Sequence, residues 1–266
     1  MKNILTEIVA HKHTEVAARK QQRSVEELEQ VSWFKRTPLS LAQFLRDPGK
    51  TGIIAEFKRR SPSKGVINGD VTVQDVTTAY TRYGASGLSV LTDEKYFGGS
   101  SDDLQQARAL NNIPILRKDF IIDEYQILEA KAIGADVILL IAECLSKQEV
   151  AQLAAFANNL GLEVLLEVHS GDQLDKVTDH IQLVGVNNRD LTTFKVDFNR
   201  SCELAPQIPA SKCKVAESGI SNTDAIVTLK QAGFQGFLIG EHFMKQENPP
   251  RAFEHFVTEL ANKSAQ

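Results

Sequence analysis

Six apolar runs in this chain end in charged or amide side chains that a buried strand should avoid: Ile53–Lys58, Ile115–Lys118, Ile138–Glu143, Val164–Glu167, Val184–Asn187 and Val215–Ser218. An ionised group buried without a partner is expensive, so the repetition of this pattern at one end of successive strands predicts a shared polar site. Gly87–Leu91 and Gly236–Gly240 bring the number of predicted strands to eight.

Helical patterns lie between the runs. Ser146–Glu149 and Ser170–Gln173 fit capping boxes, and Ser221–Asp224 is a near match. Gly84, Gly134, Gly161 and Gly233 each follow a helical stretch and precede a strand, the place of a left-handed helix terminator. The last helix starts at Asn248-Pro249-Pro250 and spaces Phe253, Phe256, Val257, Leu260 and Ala261 for one buried face. Alternating strands and helices with short links imply parallel strands and right-handed crossovers. Eight such units in residues 51–266 fit an α/β fold of the single (β/α)8 TIM barrel type better than an open sheet. Residues 1–50 read as an N-terminal helical extension, with a helix over about 3–23 and Leu41, Phe44 and Leu45 on one face. It is expected to pack on the barrel near one mouth; a dimer-forming arm is the alternative.

With 266 residues and 42% apolar content the chain can bury a sizeable core. A net charge of -4 argues against general nucleic-acid or membrane-surface binding. No apolar run approaches the roughly 20 residues that span a bilayer, so a soluble cytoplasmic protein is expected. The three cysteines, Cys144, Cys202 and Cys213, have no CxxC spacing and read as small buried hydrophobes. The six histidines form no HExxH-like pattern, and no metal is expected.

Residues two apart in a strand share a face, so Glu56 and Lys58, Leu116 and Lys118, and Asn187 and Arg189 can point together into a barrel. At the C-terminal rim they would converge with Glu167 and Ser218. Such a set suits proton transfer: a desolvated lysine beside another cation should have a lowered pKa, and a screened carboxylate a raised one. An ion-pair network that merely fills the barrel is the alternative, less favoured for five polar residues on four strands. Glycines in Glu217-Ser218-Gly219 and Gly240-Glu241 let backbone N–H groups approach a phosphate, although turn geometry alone also calls for glycine. The basic loop Arg59–Gly65 reads as an anion-handling lid or as a solvated loop.

Six ordered segments carry a resemblance: Ala55–Gly65, Leu91–Ser100, Arg117–Ile121, Leu166–His169, Gly185–Leu191 and Ala216–Ile220 together resemble the indole-3-glycerol-phosphate synthase family. The resemblance implies ring closure, decarboxylation and dehydration of 1-(2-carboxyphenylamino)-1-deoxyribulose 5-phosphate, in tryptophan biosynthesis, without cofactor or metal. It assigns the acid role to Lys118 and the base role to Glu167. Lys58 becomes a substrate-binding cation and an acid for dehydration, with Glu56 setting lysine ionisation. Asn187 meets substrate hydroxyls and Arg189 supplies fixed charge. Ser61, Ser218, Gly219 and Gly240 resemble substrate and phosphate contacts, and Glu217 belongs to the same loops. Where many relatives carry serine, this chain has Glu241; only its backbone N–H is expected to take part, with the side chain turned away from phosphate. Pro62, Phe97, Phe120, Leu139, Ile141 and Leu191 match the lining of an anthranilate slot. A small phosphorylated substrate is the expected partner, with the protein a monofunctional monomer or weak homodimer. Another phosphosugar isomerase, a Schiff-base aldolase using Lys118, or a non-catalytic phosphosugar-binding barrel would share the polar strand ends.

Overall fold

The computed structural model describes residues 4–189 and 196–264. Its strands are β1 (Ile53–Phe57), β2 (Arg60–Ser61), β3 (Gly65–Val66), β4 (Gly87–Leu91), β5 (Ile115–Lys118), β6 (Val137–Ile141), β7 (Glu163–Val168), β8 (Leu183–Asn187), β9 (Cys213–Glu217) and β10 (Gly236–Ile239). Eight of them close a parallel barrel in the order β1-β10-β9-β8-β7-β6-β5-β4, and β2 and β3 form a small antiparallel ribbon after β1.

The two-residue period of a strand sorts side chains into two cores. Ile138 and Leu140 of β6 join the layer between sheet and helices, whereas Val137, Leu139 and Ile141 point into the barrel. The same alternation sends Ile53, Ala55 and Phe57 outward and Ile54 inward, which turns Glu56 inward as well. Leu116, Leu165, Leu183 and Val215 of the interior core set the parity for Lys118, Glu167, Asn187 and Glu217. Each of these polar residues is the next inward position or the one after it, toward the C-terminal rim. The lower barrel is therefore apolar and its upper end charged.

Three helices precede β1: α1 (Ile4–Gln22), α2 (Val25–Glu29) and α3 (Leu41–Arg46). They reach both mouths rather than one. Leu41, Ala42 and Leu45 of α3 join the interior core from below, and Glu163 at the start of β7 accepts from Ser40 Oγ at 2.5 Å and from the Ala42 amide at 3.0 Å. Helix α1 instead crosses the C-terminal rim, where Lys12 pairs with Asp93 at 2.9 Å and Asp119 at 3.0 Å, just beyond β4 and β5.

The four predicted glycine terminators all have positive φ, from 77 to 99°. Ser146 caps its helix in a full capping box. Ser170 does not: Gly171–Lys176 is 3-10 helix without a side-chain cap, because the Gln173 carbonyl accepts from the His169 amide and its amide nitrogen donates to Glu143. In the third pattern Asn222, not Ser221, is the cap. Cys202 departs from the expectation of burial. It is exposed, since Ser201 and Leu204 take the inner face of its helix. No helix among the described residues is long and apolar enough to cross a membrane.

Candidate active site

The charged rim opens into a cavity of about 560 Å³ that Glu56, Lys58, Ser61, Lys118, Glu167, Asn187, Arg189, Glu217, Ser218, Gly219, Gly240 and Glu241 all line. Its volume suits a small organic ligand. At its centre the Lys118 ammonium bridges Glu167 Oε2 at 3.0 Å and Glu217 Oε2 at 2.9 Å. Asn187 donates to the other Glu167 oxygen at 2.9 Å. Lys58 and Glu56 form a second pair at 2.8 Å, and Ser89 donates to Glu56 at 3.1 Å. The three glutamates are between 1 and 4% exposed.

Close approach requires glycine at two places. A Cβ at Gly185 would collide with Glu217 Oε1, and one at Gly240 with Glu56 Oε1. These glycines make room for carboxylates arriving from neighbouring strands. Ser218 is the one non-glycine residue with positive φ, 69°, among those described, and Gly219 follows at 78°. A left-handed serine costs on the order of 1–2 kcal/mol, and the double turn bends the chain sharply toward the cavity at the end of β9.

The charge states differ from the sequence expectation in two respects: the central lysine is raised rather than lowered, and two of the three carboxylates are lowered rather than raised. Burial disfavours the Lys118 ammonium, but Glu167, Glu217 and Glu56 outweigh it and raise its pKa. The lysine expected to be depressed by a second cation is instead surrounded by carboxylates. Burial likewise opposes ionisation of Glu167 and Glu56, yet Lys118 holds the first below the ordinary carboxylate range, and Lys58 with Lys118 does so for the second. Glu217 goes the other way. Burial and the like charge of Glu167 raise it more than Lys118 lowers it. The cluster thus presets a cationic lysine beside an ionised Glu167, with Glu217 as the carboxyl group that most readily holds a proton.

Part of the cavity lining is apolar. Pro62, Phe97, Phe120, Leu139 and Ile141 line it, and Phe97 and Phe120 lie 6.0 Å apart at 39°. Leu191 lies outside the described residues. Ile4, Leu5 and Ile8 of α1 also face the cavity and carry no local sequence signal for doing so. His169, another residue the pattern did not single out, puts Nε2 3.4 Å from Glu167 Oε1.

The basic loop divides its charges. Arg59 turns away to pair with Asp103 at 2.5 and 3.0 Å and lies over the Phe57 ring, while Lys64 remains at the cavity. Glu241 also differs from its expected pose. Its carboxylate is not turned away: Oε2 accepts from Arg189 at 3.0 Å and Oε1 lies 3.9 Å from Lys64. The attraction of these two cations outweighs a solvent-facing rotamer. Among the described residues no group of three or more histidine, cysteine or acidic side chains could hold a metal ion.

A family model described as indole-3-glycerol phosphate synthase matches residues 5–256. The chain is 48% identical over 257 residues to the indole-3-glycerol phosphate synthase of Bacteroides thetaiotaomicron, covering 97% of this chain and 98% of that protein. The protein of the same name from Bordetella pertussis is 42% identical over 253 residues, covering 94% and 97%. Among solved structures, a tryptophan synthase alpha-subunit from Pyrococcus furiosus shares the fold at a TM-score of 0.59 and 16% identity, over 79% of this chain and 98% of that one.

Proposed function

The chain belongs to the indole-3-glycerol phosphate synthase family, and from that premise we propose how its residues divide the work of making indole-3-glycerol phosphate from 1-(2-carboxyphenylamino)-1-deoxyribulose 5-phosphate. The observation that carries the assignment is the Lys118 ammonium held between Glu167 and Glu217 at 3.0 and 2.9 Å, in the same cavity as a set of apolar side chains.

The anthranilate ring enters between Phe97, Phe120, Leu139 and Ile141, and the phosphate lies across the mouth, near Ser218-Gly219 and Gly240 with Lys64 and Arg189. This pose brings the ring carbon that bears the carboxylate close to the ketone carbon. As the carbon–carbon bond forms, negative charge builds on the ketone oxygen, and Lys118 donates a proton to it. Loss of carbon dioxide returns the electron pair to the ring. The remaining hydroxyl leaves as water with a proton from Lys58, while Glu167 takes the proton from the adjacent carbon and the indole double bond forms. Asn187 fixes the Glu167 carboxylate, and Glu56 anchors Lys58.

Lys118 is charged and Glu167 ionised under the same conditions, so neither role needs a rare protonation state. The slot would bind the ring without turnover in a mere phosphosugar-binding protein. The deciding experiment adds the carboxyphenylamino-deoxyribulose phosphate to the purified protein and follows indole fluorescence. Turnover is expected; its absence, with the ligand bound, would leave a binding barrel. Covalent trapping of Lys118 by borohydride would point instead to an aldolase.

A further inference from the structure

Glu241 puts a carboxylate among the cations that a phosphate would use. It begins the short helix Glu241–Met244 after β10, Arg189 follows β8, and Lys64 sits in the β2–β3 ribbon after β1. These segments are far apart in the chain, and all three side chains line the one cavity. Oε2 of Glu241 accepts from Arg189 at 3.0 Å, and Oε1 reaches Lys64 at 3.9 Å.

Hydration distinguishes this trio from the Lys118 cluster. The Glu241 side chain is 34% exposed, that of Lys64 54% and that of Arg189 21%. An ion pair this wet is weak, since water and salt screen it and two flexible side chains are held in one geometry. It can be broken by a ligand that offers more charge and more acceptor oxygens. A phosphate monoester does both, with close to two negative charges and three acceptor oxygens against one charge and two oxygens on a carboxylate.

We propose that Glu241 is an internal competitor for the phosphate group: its carboxylate holds Arg189 and Lys64, gives them up when a phosphate monoester enters, and takes them back as the phosphorylated product leaves. The inference rests on the phosphate placement given above and deepens it. Because Glu241 contests every phosphate monoester alike, it weakens substrate and product together and leaves the chemical step untouched. Its signature is therefore a change in KM without a matching loss in kcat.

The test compares wild type with Glu241→Ser and the near-isosteric Glu241→Gln, which carries the experiment should the serine variant fail to fold. Three ligands separate the sources of binding: the full substrate, inorganic phosphate as an inhibitor, and anthranilate, which has no phosphate. Both variants should lower KM and the inhibition constant of phosphate by about fivefold, the scale of one partly exposed ion pair. Anthranilate binding should not move. KM should also rise more steeply with salt, because Glu241 no longer competes with counterions for Arg189 and Lys64. An unchanged or higher KM, with phosphate inhibition also unchanged or weaker, overturns the proposal, and a higher KM would make Glu241 an orienting partner of Arg189. Phosphate binding read by calorimetry needs no turnover. A wild-type protein without turnover would defeat the enzymatic reading, whereas turnover with a KM indifferent to Glu241 would defeat this one alone.

Discussion

Strand β5 carries two cations side by side, and they teach opposite lessons. Arg117 points outward into the helix layer, where it donates to Thr92 Oγ1 at 3.0 Å, the Gln126 carbonyl at 2.7 Å and Asp119 Oδ2 at 3.2 Å. Asp119 also takes Thr92 and Lys12, and Lys12 reaches on to Asp93 and Glu15. Lys118 points inward to two carboxylates, and its side chain stays 16% exposed. Glu217 Oε1 accepts no hydrogen bond among the described residues. Both oxygens of Asp93 and of Asp119 in the outer network have a hydrogen bond or an ion-pair partner, so it fixes structure; the inner one keeps an oxygen in reserve, so it can receive a substrate and move protons.

Breaking the outer network should produce the larger effect, and it should fall on stability. Lys12 is completely buried, so Lys12→Met strands Asp93 and Asp119 without a cation and should cost about 3–5 kcal/mol, read as a fall in Tm. The sign with pH follows from Asp119, whose carboxyl is held at about 2 by Lys12 and Arg117 against the cost of burial. A depressed carboxylate contributes stability above its unfolded value near 4 and loses it as pH falls to about 2. The gap between wild type and Lys12→Met should accordingly shrink across that window; a gap independent of pH would reduce Lys12 to packing.

Breaking the inner network should fall on turnover. Lys118→Ala and Glu167→Gln should each lose at least about a hundredfold in kcat, the scale of a positioned acid or base. Their Tm should fall less than that of Lys12→Met, since the carboxylates left without Lys118 line an open cavity that water can enter, whereas the Asp93 and Asp119 side chains are fully buried. A large loss of Tm with activity retained would invert the comparison.

The finest effect concerns tuning. Glu217 is one of the carboxylates that raise Lys118, so Glu217→Gln should let the ammonium lose its proton at lower pH. The alkaline limb of the kcat/KM profile should move toward neutrality. A limb that stays where it is would show that Glu167 and Glu56 alone govern Lys118.

Most of the barrel was legible because a period of two and a helix cap are local signals. Glu56, Lys58, Lys118, Glu167 and Asn187 could be assigned to one face from strand parity alone, and the structure brings them together. What escaped the sequence depends on distance. The ionisation of Lys118 is set by carboxylates on β1, β7 and β9, and only their convergence shows that anions outnumber cations there. Ser170 looked like a cap because its pattern is local, yet Gln173 is committed to His169 and Glu143. Ile4, Leu5 and Ile8 read as one stretch of a helix, and nothing within that stretch says which surface it will meet.

Helix α1 has a consequence for how the protein comes into being. Its contacts reach far along the chain: Glu7 accepts from the Tyr96 hydroxyl 89 residues away, and Arg19 donates to Glu129 across 110. During synthesis this helix must wait until several later strand–helix units have left the ribosome before it finds its seat, paying loop closure over that whole length. The last wall of the reaction chamber is therefore built from residues made before any barrel strand, and a nascent barrel shows no finished cup until they return to it.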